Sequence, residues 1–348
     1  MSVVSRQSSF RFESDKSEAS EIGAALGVRF CLGGTVQTSG ERVRMTARLD
    51  RCSDGATVWA ERFDRDMREY FDVQTEIARI VTATVAGRIV ASDMQTAQLQ
   101  RPGNLAAYDL VLRGLQSFNR HVEQDMQSAR RDFRAAIALD PLYARAHGLL
   151  AMADIYVEWL LGAVGDVTTA LAPAQAAVGL DEREIKGHCA LGIINLLAYD
   201  FGRARHHFET ALSFNNNDCL LLLEYGRFLM YDDHPNEGMA SVREAMRLNP
   251  FHPNWYWNII GRCLHSLGRY GDAIVILEKI VSPNFWTLLY LAGCHAKVGN
   301  AEMARRLREE VLGERPDLRV ESLRRYFPYR NTATKDLLFE SFRAAGFR

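Results

Sequence analysis

The sequence predicts a mainly α protein: a small α/β front domain, built as an antiparallel meander with helices, followed by an α–α superhelix of paired helices. Two observations carry this. Residues 31–66, "CLGGTVQTSGERVRMTARLDRCSDGATVWAERFDRD", alternate with the two-residue period of strands. Past "QRPGNLAAY", the apolar pattern becomes helical, and helix-end signals recur at a nearly constant spacing.

The front region divides into elements by its turns. Residues 28–38, "VRFCLGGTVQT", have a β-leaning composition. "ERVRMTARLDR" alternates cleanly, with Val43, Met45, Ala47 and Leu49 on one face and Arg42, Arg44, Thr46 and Arg48 on the other. "SGE" around Gly40 and "SDG" before "ATVWAERF" are tight turns, so three strands follow one another as a meander. The apolar face needs cover. Helices over 16–26 and 73–99 are the candidates, the second with Asp72 placed to cap it.

The rear region reads as a repeat array. Asp140, Asp181, Asn215 and Asn249 close the segments "AIALDP", "AVGLDE", "ALSFNN" and "AMRLNP", at intervals of 41, 34 and 34 residues. Pro250, Pro283 and Pro316 then follow at intervals of 33. A period near 34 marks the tetratricopeptide repeat, a helix–turn–helix unit. The longer first step places about seven extra residues around "LLGAVGDVT" (160–168). First helices carry a small residue at Gly114, Gly192, Gly226, Gly261 and Gly293, where the partner helix packs close. Ala204, Gly238, Ala273 and Ala304 do the same on second helices. About six helix pairs are expected over 107–316, after a linker at 101–106, with 317–348 as a segment capping the open end.

The front stretch, "LGVRFCLGGTVQTSGERVRMTARLDRCSDGATVWAERFDRD" followed by "FDVQTEIARIV", resembles the TolB-like amino-terminal domain. That domain precedes tetratricopeptide repeats in bacterial regulatory proteins. Gly27, Val28, Gly34, Gly55, Trp59, Ala60, Glu61 and Asp64 fall in its order and spacing. Gly33 stands where an acidic residue is more usual, and Arg51–Cys52 replace Asp–Ala. The resemblance implies a first strand and helix ahead of Met1, with Val3–Arg6 as the second strand. Residues 1–100 are therefore expected to be a truncated domain. Proteins of this type carry an upstream effector, either a class III adenylate/guanylate cyclase or a winged-helix DNA-binding domain.

Composition narrows the function classes. The 348 residues are 47% apolar and 24% charged, with net charge −1, which argues against a broad nucleic-acid surface. Basic clusters at 129–134, 304–308 and 322–330 read as solvated helix faces. Cys31, Cys52, Cys189, Cys219, Cys263 and Cys294 form no C-x-x-C pair and read as small buried residues of a reducing compartment. No apolar stretch reaches the roughly 20 residues a membrane span needs. The expected compartment is the cytoplasm, or the periplasmic side of a membrane regulator if a spanning segment lies upstream.

No catalytic constellation emerges, so an enzyme, a cofactor and a metal are not expected. Asp64 and Asp66 of "FDRD" follow a strand into a turn, and His206–His207 diverge around a helix. The array supplies the candidate site instead. Counting the small residue as position eight, positions two, five, nine and twelve of first helices face the groove. They select Lys186, Arg227, Trp255, Asn258, Arg262, His265, Tyr290 and Lys297. This basic, amide-bearing and aromatic set suits an acidic or carboxylate-ended peptide. The expected function is a non-catalytic regulatory or scaffold module that binds protein, the sensor part of a signalling protein. The alternatives are a regulatory part or trans-acting subunit of a class III cyclase, or of a winged-helix regulator.

Overall fold

A computed structural model of the chain describes residues 3–12, 18–86, 104–120, 123–160 and 167–348. The chain separates into two compact units, 1–103 and 104–348.

The first unit contains α1 (Arg6–Ser9), α2 (Ala19–Leu26), β1 (Phe30–Ser39), β2 (Arg42–Arg51), β3 (Thr57–Asp66) and α3 (Tyr70–Ala86). The strands form one antiparallel sheet in the order β1-β2-β3. Thr35 opposes Thr46, Ala47 opposes Glu61, and the β2–β3 register shifts at Leu49/Asp50. Gly40 and Gly55, both with positive φ, make the two turns, as a left-handed backbone position requires. Val43, Met45, Ala47 and Phe63 are buried with Val73 of α3, and Trp59, Ile77 and Ile80 pack against them. Leu32 and Val36 of β1 stay exposed, so among the described residues no helix covers that part of the strand.

Two expectations are corrected here. Val3–Arg6 is not a strand: Ser5 accepts a hydrogen bond from the Ser8 amide and starts α1. Asp72 is not a cap, because α3 begins at Tyr70 and Asp72 sits in its first turn. The expected helix beyond 86, the linker residues 101–103 and residues 161–166 of the insertion expected around 160–168 lie outside the described residues.

The second unit contains six helix pairs among the described residues. They are α4 (Leu105–Phe118) with α5 (Glu123–Leu139), α6 (Ala144–Leu160) with α7 (Thr168–Leu180), and α8 (Ile185–Leu197) with α9 (Phe201–Phe214). Then come α10 (Cys219–Tyr231) with α11 (Pro235–Leu248), α12 (Tyr256–Ser266) with α13 (Tyr270–Leu277), and α14 (Phe285–Lys297) with α15 (Ala301–Glu314). Asn104, Glu184, Asp218 and Asn284 cap first helices with their side chains, while Asp200 and Asn300 cap second helices.

In four pairs the close approach is built on a glycine of the first helix, Gly114, Gly192, Gly226 or Gly261, whereas Gly293 faces Ser341 and Phe342 of the tail and not its partner helix. A Cβ on Gly192 would lie 2.8 Å from the Phe208 ring, and one on Gly226 would lie 2.8 Å from the Gly238 carbonyl oxygen. One continuous core of buried side chains then runs from Ala107 to Phe347. This is the tetratricopeptide architecture, in which neighbouring pairs bury what no pair could bury alone.

The tail departs from the expected end cap. A 3-10 segment (Val320–Tyr326) leads into α16 (Thr332–Ala344), which packs on α14 and α12. It touches the carboxyl-terminal ends of first helices over several repeats. The Arg330 amide donates to the Tyr231 carbonyl at 2.8 Å, and Lys335 Nζ donates to the Tyr199 hydroxyl at 2.8 Å. Phe327, Phe339 and Phe342 are fully enclosed.

Candidate functional site

The tail fills only part of the inner face. Beside it, a cavity of about 440 Å³ remains, bounded by α6, α8, α10, α12, the start of α14 and the tail's Tyr326 and Phe327. Its floor and walls are largely apolar, from Ile193, Leu196, Leu197, Ile259, Trp255 and Trp286.

The polar groups sit at defined places. Glu224 of α10 is almost fully buried and accepts from the Tyr156 hydroxyl and from Arg227 Nη2 at 3.2 Å. Burial, together with the neighbouring Glu224 carboxylate, raises the Tyr156 phenol well above its ordinary pKa, so it stays a donor. Arg227 sits three residues after Glu224, one helical turn away, with its Nε 3.1 Å from the carboxylate. Asn258 donates to Thr287 Oγ1 at 2.8 Å, tying α12 to α14 across the cavity edge. Trp255 meets the Tyr156 ring edge-on with centroids 6.4 Å apart. Arg262 is 8% exposed, donates to the Tyr231 hydroxyl, and holds its guanidinium over Tyr290 (5.0 Å), Tyr231 (5.4 Å) and Phe327 (5.8 Å).

Of the eight residues selected by position, the structure brings Arg227, Trp255, Asn258 and Arg262 to this cavity. The other four are engaged elsewhere. Lys186 forms a 2.7 Å ion pair with Asp218, joining α8 to the capping residue of α10. His265 is enclosed between the Tyr270 and Tyr290 rings, with Nε2 2.9 Å from Ser341 Oγ of the tail. Tyr290 has no exposed surface and packs on Phe342. Lys297 lies 3.8 Å from Glu340. His265, Tyr290 and Lys297 are thus corrected from groove-facing residues to contacts of the tail, because the tail occupies that part of the inner face.

Tyr156, Glu224, Tyr231, Trp286 and Phe327 also line the cavity and were missed. Position counting looks at four places per helix, and these fall outside them. Phe327 lies within the basic cluster 322–330, where charge hid the aromatic signal. The aromatic run at 255–257 divides by face: Trp255 lines the cavity, Tyr256 is core, and Lys279 covers Trp257 at 4.3 Å.

Other polar clusters resolve into local pairs. Asp64 is held by Arg44 at 2.6 Å and by Arg62 at 2.9 Å, which lowers its pKa. His207 Nδ1 lies 3.0 Å from His188 Nδ1, and burial pushes the His207 pKa down to about 4. Among the described residues no group of three His, Cys, Asp or Glu side chains has metal-binding geometry, and no helix is long and apolar enough to cross a membrane.

No family model matches the chain. A protein of Rhizobium meliloti (strain 1021) named "Putative adenylate cyclase 3" is 29% identical over 194 residues, which is 55% of this chain and 33% of that one. The chain therefore spans about a third of that relative's length. Among solved structures, PilF of Pseudomonas aeruginosa is 16% identical, with a TM-score of 0.42 over 61% of this chain and 93% of that one. The Thermus thermophilus protein TTC0263, described as a thermophilic TPR protein, is 18% identical, with a TM-score of 0.42 over 56% and 99% of the two chains.

Proposed function

We propose that the repeat array is a non-catalytic interaction module that receives a protein or peptide partner at its inner-face cavity. The chain would be the regulatory, sensor part of a signalling protein related to adenylate cyclases. The observation that carries this reading is the cavity: a concave, mostly apolar site with a few convergent polar groups, flanked by Trp255 and Trp286 as aromatic anchors. The excess of basic over acidic groups on its lining, Arg227 and Arg262 against Glu224, favours an acidic partner. The likeness to a cyclase-named relative supports the signalling context.

The test is comparative. Immobilised full chain is crosslinked with host lysate beside two variants, Leu197→Trp, which fills the cavity, and Arg227→Glu, which reverses a lining charge. A partner that is retained by the wild type and lost by both variants supports the reading; equal capture by all three defeats it. In parallel, the purified chain with ATP or GTP and Mg²⁺ or Mn²⁺ is expected to form no cyclic nucleotide. Turnover abolished by replacing Asp64 and Asp66 would reassign the chain as an enzyme.

A further inference from the structure

We propose that the cavity is a receptor for a small apolar carboxylic acid, whose carboxylate is held by Arg262 and whose body fills the space between Trp255, Leu197 and Trp286. The inference rests on the reading of this cavity as the module's ligand site, and it makes the acid a competitor of the partner for that site.

Arg262 carries the inference. It lines the cavity yet is more than nine-tenths buried. Among the described residues no carboxylate pairs with it, and its Nε has no hydrogen-bond partner. A buried cation is costly unless an anion or a full set of acceptors meets it. Three ring faces and the Tyr231 and Tyr290 hydroxyls supply part of that compensation. Glu224, the one carboxylate on the lining, is already held by Tyr156 and Arg227. The lining therefore carries one positive charge in excess, fixed at the end of an apolar chamber. A guanidinium in that setting matches a carboxylate in shape and charge.

Size suits a small molecule, and one wall is closed by the tail. The volume, about 440 Å³, lies in the range of small-ligand sites, roughly 300–1,000 Å³. The tail walls the cavity with Tyr326 and Phe327 and occupies His265, Tyr290 and Lys297 beyond it. Towards the last repeats the tail blocks an extended chain, and a compact acid needs no such track.

The test uses the full chain, with octanoate and 4-phenylbutyrate as probes and octanamide and 4-phenylbutyramide as their neutral counterparts. Binding is followed by calorimetry and by Trp fluorescence, since Trp255 and Trp286 line the site. The expected result is saturable binding of at least one acid, with its amide weaker by about tenfold or more. Arg262→Met should weaken the acid by a similar factor and leave the amide nearly unchanged. Because Arg262→Met also removes a support of the tail, two further variants accompany it, each checked by thermal melting. Arg262→Lys keeps the charge and should retain part of the preference for acid over amide. Leu197→Trp leaves Arg262 intact and should abolish binding of both. Equal binding of acid and amide, acid binding indifferent to Arg262→Met, or no saturation up to about 10 mM would overturn the proposal. Partner capture that is lost in Leu197→Trp while neither acid binds overturns the acid and leaves the interaction module standing. Acid binding with capture indifferent to Leu197→Trp does the reverse.

Discussion

His265 of α12 and Ser341 of α16, 76 residues apart in the chain, share a buried hydrogen bond of 2.9 Å. The Ser341 hydroxyl donates to the Leu338 carbonyl at 2.7 Å, so its oxygen accepts from the His265 Nε2–H. This pair fastens the tail to the inner face and places a proton on Nε2. Lys297 and Arg262 face the same ring and, with burial as the larger cause, push its pKa down to about 3.

A pH dependence follows from that histidine. Between about pH 6.5 and 3 the unfolded chain binds a proton there that the folded chain does not, so the His265 contribution is complete above pH 6.5 and is lost on acidification. At pH 5 the loss is about 2 kcal/mol. Glu184 acts in the opposite sense. Its buried carboxyl is raised to about 7, so its contribution favours the fold at low pH and fades as pH rises through 7. The two are separated by difference: from pH 7 to pH 5, wild type should lose about 2 kcal/mol more than His265→Gln in urea unfolding.

Two glycines that occupy the same repeat position should respond differently to alanine. A Cβ on Gly226 meets backbone, the Gly238 carbonyl oxygen at 2.8 Å, and Val242 at 2.7 Å. Gly226→Ala should cost about 1–3 kcal/mol and lower the melting temperature of the array. A Cβ on Gly293 meets Ser341 Oγ of the tail at 2.6 Å. Gly293→Ala should raise hydrogen exchange in 332–344 with little change in α10 and α11.

Asp232 joins three parts of the array. Its carboxylate, 2% exposed, lies between Arg205 of α9 and Arg330 of the tail. Asp232→Ala removes a buried acceptor from two guanidiniums that stay partly exposed, Arg205 keeping Glu209, and should cost about 1–2 kcal/mol by chemical denaturation. Arg330→Ala removes a half-exposed group and should cost less, which ranks the pair experimentally.

The thiols should be slow to react in the folded chain. Burial raises Cys263 and Cys294 to about 12, and Cys31, 3.3 Å from Cys52, is raised to the same range. Iodoacetamide at pH 8 should label none of these three at an appreciable rate until denaturant is added, as read by mass spectrometry.

Much of the fold was legible because it depends on local period. Val43, Met45, Ala47 and Leu49 alternate and are buried; Arg42, Arg44 and Arg48 alternate with them and are exposed. Asp140, Asp181, Asn215 and Asn249 follow the last residues of α5, α7, α9 and α11. The site was legible only where helix position alone sets direction, as for Trp255, Asn258 and Arg262 on one helix turn after another. It was not legible where a distant segment competes for the same surface.

The amino-acid sequence by itself determined the two-part architecture, the repeat period and the small residues at which helices approach, since these follow from periodicity and side-chain volume along the chain. Only the tertiary structure decided that 317–348 lies on the inner face, that it takes His265, Tyr290 and Lys297 into its contacts, and that Phe327 closes a cavity beside Arg262. The physical reason is burial. The apolar side chains of a tail can be removed from water at several places on a superhelix, and the fit of Phe327, Phe339 and Phe342 into the inner face, which no local pattern encodes, selects one of them.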